Sequence, residues 1–164
     1  MASTIRREEM IRKAVKSDEA AIRACAEKAY GRYVAAIGRK PAPMVADFAS
    51  QIAASQVYLA TDDGDNVQGF IVFFPREDHM FLENIAVQPA ATGRGIGKSL
   101  IAFCEDEARR LSLGTVHLYT NEKMTDNLSM YPYLGYREVE RRTEDGFKRV
   151  FFEKHLGCSD GPPR

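Results

Sequence analysis

One stretch of this chain combines residue types and spacing that suggest chemistry: Glu83-Asn84-Ile85-Ala86-Val87-Gln88-Pro89, then Thr92-Gly93-Arg94-Gly95-Ile96-Gly97-Lys98-Ser99. The apolar run Met80–Val87 predicts a buried strand, which stops at Gln88-Pro89 because proline cannot continue a ladder. Gly93, Gly95 and Gly97 predict a turn, and Ile96, Leu100, Cys104, Ala108 and Leu111 then recur as one helical stripe. In such a strand–glycine–helix unit the free N–H groups of the helix start and its dipole favour an anion. Glycines let the backbone approach that anion closely, and Arg94 and Lys98 add charge. The expected ligand is a phosphate or pyrophosphate, although a plain tight turn would use the same glycines. A nucleotide-type Walker loop is disfavoured: Gly97-Lys98-Ser99 has its final tripeptide, but Thr92 stands where its first glycine belongs.

Other side chains are chemical candidates by type. Glu83 shares a strand face with Ile85 and Val87, and a carboxylate there costs free energy unless it is ion-paired, at a wet strand end, or functional. Asn127 and Tyr131, four apart, share a helix face. Arg39-Lys40-Pro41 is either a solvated basic loop or a grip for an acidic group through paired donors. The acidic cluster 62–66 lacks the twelfth-position glutamate of a calcium loop and reads as a hairpin turn. His79, His117 and His155 share no ligand-like spacing, and Cys25, Cys104 and Cys158 are too scattered for a disulfide framework or zinc site, so no metal is expected. Cys25 and Cys104 fall on apolar helix faces as buried small hydrophobes, and a reducing, cytoplasmic setting follows.

The elements that must position these residues follow from periodicity. A short strand is expected over 11–15, then a helix with Ser17 as N-cap and Asp18 and Glu19 in its first turn. Gly38 to Pro43 breaks that helix, and a second one over 44–54 should bury Val45, Phe48, Ala49 and Ile52. Strands at 56–61 and 67–75 form a hairpin that leads into the Met80–Val87 strand. After the long helix, Gly114 is the expected cap, followed by a strand at 115–120, a short helix at 126–131, and strands at 136–142 and 148–154. Gly135 is expected to take a backbone conformation that other residues resist. The order describes a mixed α/β sheet, antiparallel in its meander and parallel across the long helix.

Length and charge bound the rest. A chain of 164 residues suggests one domain, 10–156, with flexible tails at 1–9 and 157–164. Twenty-three basic and twenty-three acidic residues give zero formal net charge, so no basic field points to nucleic acid. No apolar run approaches a membrane span, and residues 1–9 do not look like a secretory signal.

The stretch Ile85-Ala86-Val87, Pro89, Thr92, Gly95 and Gly97 resembles the pyrophosphate-binding signature of the GNAT superfamily of N-acetyltransferases, Gln/Arg-x-x-Gly-x-Gly/Ala. Thr92 departs from the usual Gln or Arg. The element order over about 11–156 matches as well, and Asn127-Leu-Ser-Met-Tyr131-Pro-Tyr-Leu-Gly-Tyr136 resembles the family stretch in which a tyrosine precedes Leu-Gly-Phe/Tyr, with Pro132 as a departure. The resemblance implies a mostly antiparallel central sheet flanked by helices and splayed between the fourth and fifth strands, with the pantetheine arm in the gap. It implies acetyl-CoA as co-substrate, held by Ile85, Ala86, Val87, Thr92, Gly93, Arg94, Gly95, Ile96, Gly97, Lys98 and Asn127. Tyr131 would protonate the leaving thiolate, and Glu83 would act as general base, directly or through water. Tyr30, Tyr33, Arg39 and Lys40 would wall the acceptor site, with Arg141 and Phe147 closing its other side. The implied reaction is direct acetyl transfer to a primary amine, on a small molecule or a peptide. A longer acyl-CoA, or an acyl-CoA-binding module without turnover, are the alternatives, and a homodimer is left open.

Overall fold

The computed structural model describes residues 11–157. The expected tails, apart from Gly157, lie outside those residues, as do Met10 and Cys158. The described elements are β1 (Ile11–Lys13), α1 (Glu19–Tyr30), α2 (Val34–Ile37), α3 (Phe48–Ala53), β2 (Val57–Thr61), β3 (Val67–Pro75), β4 (Met80–Val87), α4 (Ile96–Arg110), β5 (Thr115–Asn121), α5 (Thr125–Tyr133), β6 (Arg137–Glu144) and β7 (Phe147–His155). The seven strands form one sheet in the order β1-β2-β3-β4-β5-β7-β6, with helices flanking it. The chain divides into two compact units, Phe74–Glu83 with the chain from Phe103 onward, and the remainder, so β3, β4 and α4 each contribute to both.

In the first unit, β1 pairs antiparallel with β2 and β2 with β3. Ile22, Phe48, Val57, Leu59, Phe70 and Ile71 are fully buried there, and the Phe48 and Phe70 rings meet edge to face with centroids 5.5 Å apart. Such a pair contributes about 0.5–1.5 kcal/mol beyond its buried area. Gly38 ends α2 with φ +92°. Three local expectations need correction. The entry to α1 is fixed by the Asp18 carboxylate, which accepts from Val15 N–H at 2.8 Å and from Arg12; Ser17 is exposed in a 3-10 turn. The second expected helix is split into a 3-10 turn over Ala42–Val45 and the short α3, because Asp47 intervenes as N-cap and accepts from Ser50 N–H at 3.1 Å. Val45 is consequently 55% exposed and Ala49 is exposed as well, while Phe48 and Ile52 are buried.

In the second unit, β4 and β5 run parallel, and their ladder covers Met80–Leu82 against Val116–Leu118 only. Both strands continue past it, so Glu83 and Tyr119 are the first residues beyond the paired stretch, which is the parting expected between the fourth and fifth strands. β7 pairs antiparallel with the whole of β5, through Arg149 to His155, and with β6 on its other side. Asp145 and Gly146, both with positive φ, join β6 to β7, the backbone hand that matches strand twist. The long helix stops at Arg110, so Leu111 is exposed. Its left-handed cap residue is Ser112, φ 62°, rather than Gly114: Ser112 N–H bonds Arg109 O at 3.0 Å and Leu113 N–H bonds Ala108 O at 2.8 Å. That double closure satisfies the helix-end carbonyls before residue 114 is reached.

α5 runs through Pro132, which sits in its last turn and does not shorten it. The helix closes by the same double bond pattern: Tyr136 N–H to Tyr131 O at 2.9 Å and Gly135 N–H to Pro132 O at 3.0 Å, with Gly135 at φ +99°. Under this turn, buried Glu105 accepts from the Tyr136 hydroxyl at 2.7 Å and from Lys154 at 3.2 Å. Lys154 also donates to Leu134 O at 2.9 Å, so the strand entry after α5 is anchored by side chains as well as backbone.

Candidate active site

The glycine turn belongs to the first unit. β4 delivers the chain through Gln88, whose N–H bonds Gln68 O at 3.0 Å, into a 3-10 turn at Pro89–Ala91. Thr92 is exposed; its hydroxyl donates to Pro89 O at 2.9 Å and closes that turn. Gly93 and Gly95 have φ of +83° and +77° and open space where a Cβ would stand, so conformation is what requires glycine there. Gly97 differs. Its φ is not left-handed, and a Cβ would meet only a Val87 methyl at an ordinary 3.6 Å. Neither backbone conformation nor packing within the chain therefore demands glycine at this position, in the opening turn of α4. Ser99 N–H bonds back to Gly95 O at 2.9 Å, and the amides ahead of it belong to the opening turn of α4, where an α-helix leaves N–H groups without an intrahelical partner. Arg94 and Lys98 are exposed beside them, and Ile96 is buried.

Of the residues expected at the acceptor wall, Tyr30 is buried, with its hydroxyl 2.8 Å from Asn84 Oδ1 and 2.5 Å from Ile85 O. Asn84 in turn donates to Pro43 O at 3.1 Å. Tyr30 thus holds the backbone of β4 at Ile85, on the strand face of Asn84 and Ala86, which are buried; Ile85 and Val87 alternate with them and are half-buried. Tyr33 is half-buried with the Arg32 guanidinium 4.8 Å over its ring. Arg39 and Lys40 are exposed on the loop after Gly38.

In the second unit Tyr131 is 3% exposed, its ring against those of Tyr136 and Phe152 at 5.9 and 5.6 Å. Burial, with a smaller contribution from Cys104, raises its phenol pKa well above the tyrosine range, so it stays protonated. No group among the described residues hydrogen-bonds its hydroxyl. Asn127 donates to the Thr120 hydroxyl at 3.0 Å and lies 3.7 Å from the Met124 sulfur. Glu83 is half-buried and acts electrostatically on Tyr119, whose phenol pKa is raised by burial first and by Glu83 and Glu144 in part, against lowering by Arg149 and Arg76. Arg141 is exposed and paired with Glu138 at 2.7 Å, while Phe147 is half-buried beside Arg149.

Two features here have no signature in spacing. His79 and His117, which share no ligand-like spacing in the sequence, stack with ring centroids 3.8 Å apart. Arg149, inconspicuous in the sequence, is buried between the Tyr119 and Phe147 rings. Both depend on strand register. The period-two alternation of β5 and β7 puts His117 on a face with Tyr119 and Arg149 with Phe151, but it names no partner until the strand pairing is known. Among the described residues no group of three or more His, Cys, Asp or Glu is placed to hold a metal ion, and no helix is long and apolar enough to cross a membrane.

The chain is similar to several known proteins. An uncharacterized N-acetyltransferase of Bacillus subtilis (strain 168), YvbK, is 28% identical over 102 residues, which is 59% of this chain; the match spans 65% of that relative's length. The PaiA N-acetyltransferase of Thermoplasma acidophilum, solved in complex with coenzyme A, shares the fold with a TM-score of 0.73 at 18% identity, over 88% of this chain and 97% of its own. An acetyltransferase of the GNAT family from Staphylococcus aureus Mu50 does so with a TM-score of 0.74 at 16% identity, over 89% and 98%. The acetyltransferase (GNAT) family pattern matches residues 18–136, well over half of the chain and including the whole strand–glycine–helix unit, and this chain belongs to that family.

Proposed function

We propose that this protein transfers an acetyl group from acetyl-CoA to a primary amine, directly and within a ternary complex. The observation that carries the reading is Gly97: a helical glycine that the fold does not need, beside clustered N–H donors and two exposed cations, at the place where the family binds pyrophosphate. Ile85 to Val87, Thr92 to Lys98 and Asn127 are assigned to the cofactor. Tyr131, held neutral by burial and with its hydroxyl uncommitted among the described residues, suits proton donation to the departing CoA thiolate. A backbone N–H of β4 around Ile85 to Val87 is assigned to the oxyanion. Direct transfer is favoured over an acetyl-cysteine intermediate by the two described thiols. Burial raises Cys25 to about 11 and pushes Cys104 up further, so neither supplies a thiolate near neutral pH.

Glu83 is assigned as the base. An amine of pKa ~10.4 is about three units from neutrality at pH 7.4, a cost of roughly 4 kcal/mol, whereas an α-amino group near ~7.7–8 costs less than about 1 kcal/mol. The test is acetyl-CoA consumption over a panel of amines, amino acids, polyamines and peptide N-termini, with wild type and Glu83→Gln. Wild type should release CoA with at least one amine without forming an acetyl-enzyme detectable by mass spectrometry. Glu83→Gln should lose much activity on high-pKa amines and little on low-pKa ones. An equal small loss on both kinds of amine would remove Glu83 from the mechanism.

A further inference from the structure

The face of the second unit that carries Glu83 is paved with half-buried rings, unlike the opposite face, where Met80, Leu82, Val116 and Leu118 are buried. Phe74, Phe81, Tyr119 and Phe151, one each from β3, β4, β5 and β7, follow one another with centroids 5.6, 5.9 and 5.3 Å apart. The row borders a pocket of about 280 Å³ whose walls include Phe81, Phe151, Arg76, Arg142 and the stacked His79–His117 pair.

Arg149 lies beside the row. It is 9% exposed, and its guanidinium stands 4.4 Å from the Tyr119 centroid and 5.5 Å from that of Phe147. A guanidinium has five N–H donors in a rigid fork. Here Nη1 donates to Glu144 at 2.9 Å, and among the described residues no other acceptor takes a bond from this side chain. Glu144 is itself shared with Arg142, which also pairs with Glu140. The rest of the fork is not closed off from solvent, so a ligand can reach its spare donors. Two parallel N–H···O bonds to a carboxylate are what the unused part of the fork is shaped to make. Glu83 follows Phe81 on the same face of β4, one step beyond the ladder with β5, and Tyr119 is the first residue of β5 beyond that ladder. A cation with spare donors thus lies over the Tyr119 ring, on the strand face that also carries Glu83, and two rings of the same row, Phe81 and Phe151, line a pocket together with charged and polar side chains.

We infer that this face selects an amine that also carries a carboxylate and an aromatic or apolar side chain, as an amino acid does: Arg149 takes the carboxylate, Glu83 faces the amine, and the pocket beside Phe81 and Phe151 receives the side chain. The role given to Glu83 rests on the acetyltransferase reading, whereas carboxylate binding by Arg149 does not. Arg149 is here a specificity residue and takes no part in proton transfer.

The test compares L-phenylalanine with phenethylamine, which has the same ring and amine but no carboxylate, by calorimetry and by acetyl-CoA turnover. With wild-type protein, loss of the carboxylate should raise Kd and KM about tenfold or more. In Arg149→Lys and Arg149→Met, checked for an unchanged circular-dichroism spectrum, the two ligands should approach within about twofold of one another. Equal affinities in wild type, no binding of either compound, or a gap that persists in both variants would overturn the inference, and the wild-type comparison needs no variant to fold. Binding with the expected gap but no acetylation of any amine would uphold Arg149 and remove the acetyltransferase reading. Acetylation of both compounds without a gap would remove Arg149 alone.

Discussion

The glycine turn and the Tyr131 helix would both serve the cofactor, and they are built on opposite principles. At the turn, the useful groups are backbone amides, side chains are small or exposed, and the working surface is set by φ values at Gly93 and Gly95. At Tyr131 the backbone is closed on itself, and the useful group is one hydroxyl whose proton is held by surrounding rings. A site made of backbone tolerates side-chain change where the fold permits it and fails when a Cβ or larger group fills the approach. A site made of one side chain tolerates changes of shape around it and fails when a single atom is lost.

Removing that atom is the sharpest way to break the comparison. Tyr131→Phe keeps the ring contacts with Tyr136 and Phe152, and no hydrogen bond among the described residues is lost with the hydroxyl. The expected result is a kcat lower by roughly 10²-fold or more, with acetyl-CoA affinity and melting temperature little changed. An unaltered kcat, measured where chemistry limits the rate, would leave Tyr131 as a packing residue.

The turn should answer differently. Gly97→Leu is expected to weaken acetyl-CoA binding by about tenfold or more, ~1.4 kcal/mol, through obstruction of the pyrophosphate. Gly97→Ala should leave the melting temperature unchanged or slightly raised, since a Cβ fits beside Val87 and alanine loses less backbone freedom than glycine. Calorimetry that finds full acetyl-CoA affinity in the leucine variant would move the cofactor away from this turn.

The smallest effect concerns the stacked histidines. Burial, and next the neighbouring His79, holds the His117 imidazole below the usual histidine range, with partial compensation from Glu153. Between the folded and the unfolded pKa the unfolded chain therefore binds the extra proton. The contribution is complete above the unfolded value near ~6.5 and is lost as pH falls from there through the folded value. Melting temperature should decline with acidification below about pH 6.5, and the decline should be shallower in His117→Gln. Parallel slopes for the two proteins would show that His117 carries none of it.

How far the sequence could be read follows from the same contrast. The bounds of β3 and β4, the turn between β4 and α4, and the left-handed Gly135 were legible because each is encoded within a few neighbouring residues: alternation, proline, glycine spacing. Local misreadings came from competition between nearby groups, as where Asp18 rather than Ser17 satisfies the helix entry, and where Ser112 takes the left-handed position offered to Gly114. Arg149 and the His79–His117 stack were out of reach for a different reason. Their partners lie 30 and 38 positions away in the chain (Tyr119 for Arg149, His117 for His79), and only the parallel register of β4 on β5 and the antiparallel register of β5 on β7 bring them together. Arg39 and Lys40 show the converse: adjacent and conspicuous in the sequence, they are exposed on their loop, where solvent weakens any grip on an anion.

The outermost strand of the second unit has a consequence for the company the protein keeps. β6 ends the sheet, and seven of its eight residues are exposed. Arg137, Glu138, Glu140, Arg141, Arg142 and Glu144 mix three positive and three negative charges along it, cross-linked by ion pairs from Glu138 to Arg141 and from Arg142 to Glu140 and Glu144. A foreign strand that tried to zip onto this margin would have to strip water from a dense set of charges already balanced among themselves, with little apolar surface to gain in return. The margin thus discourages growth of the sheet from one molecule into the next. Any self-association of this chain is expected to avoid the β6 margin, and edge-to-edge stacking through that strand should be resisted in concentrated solution.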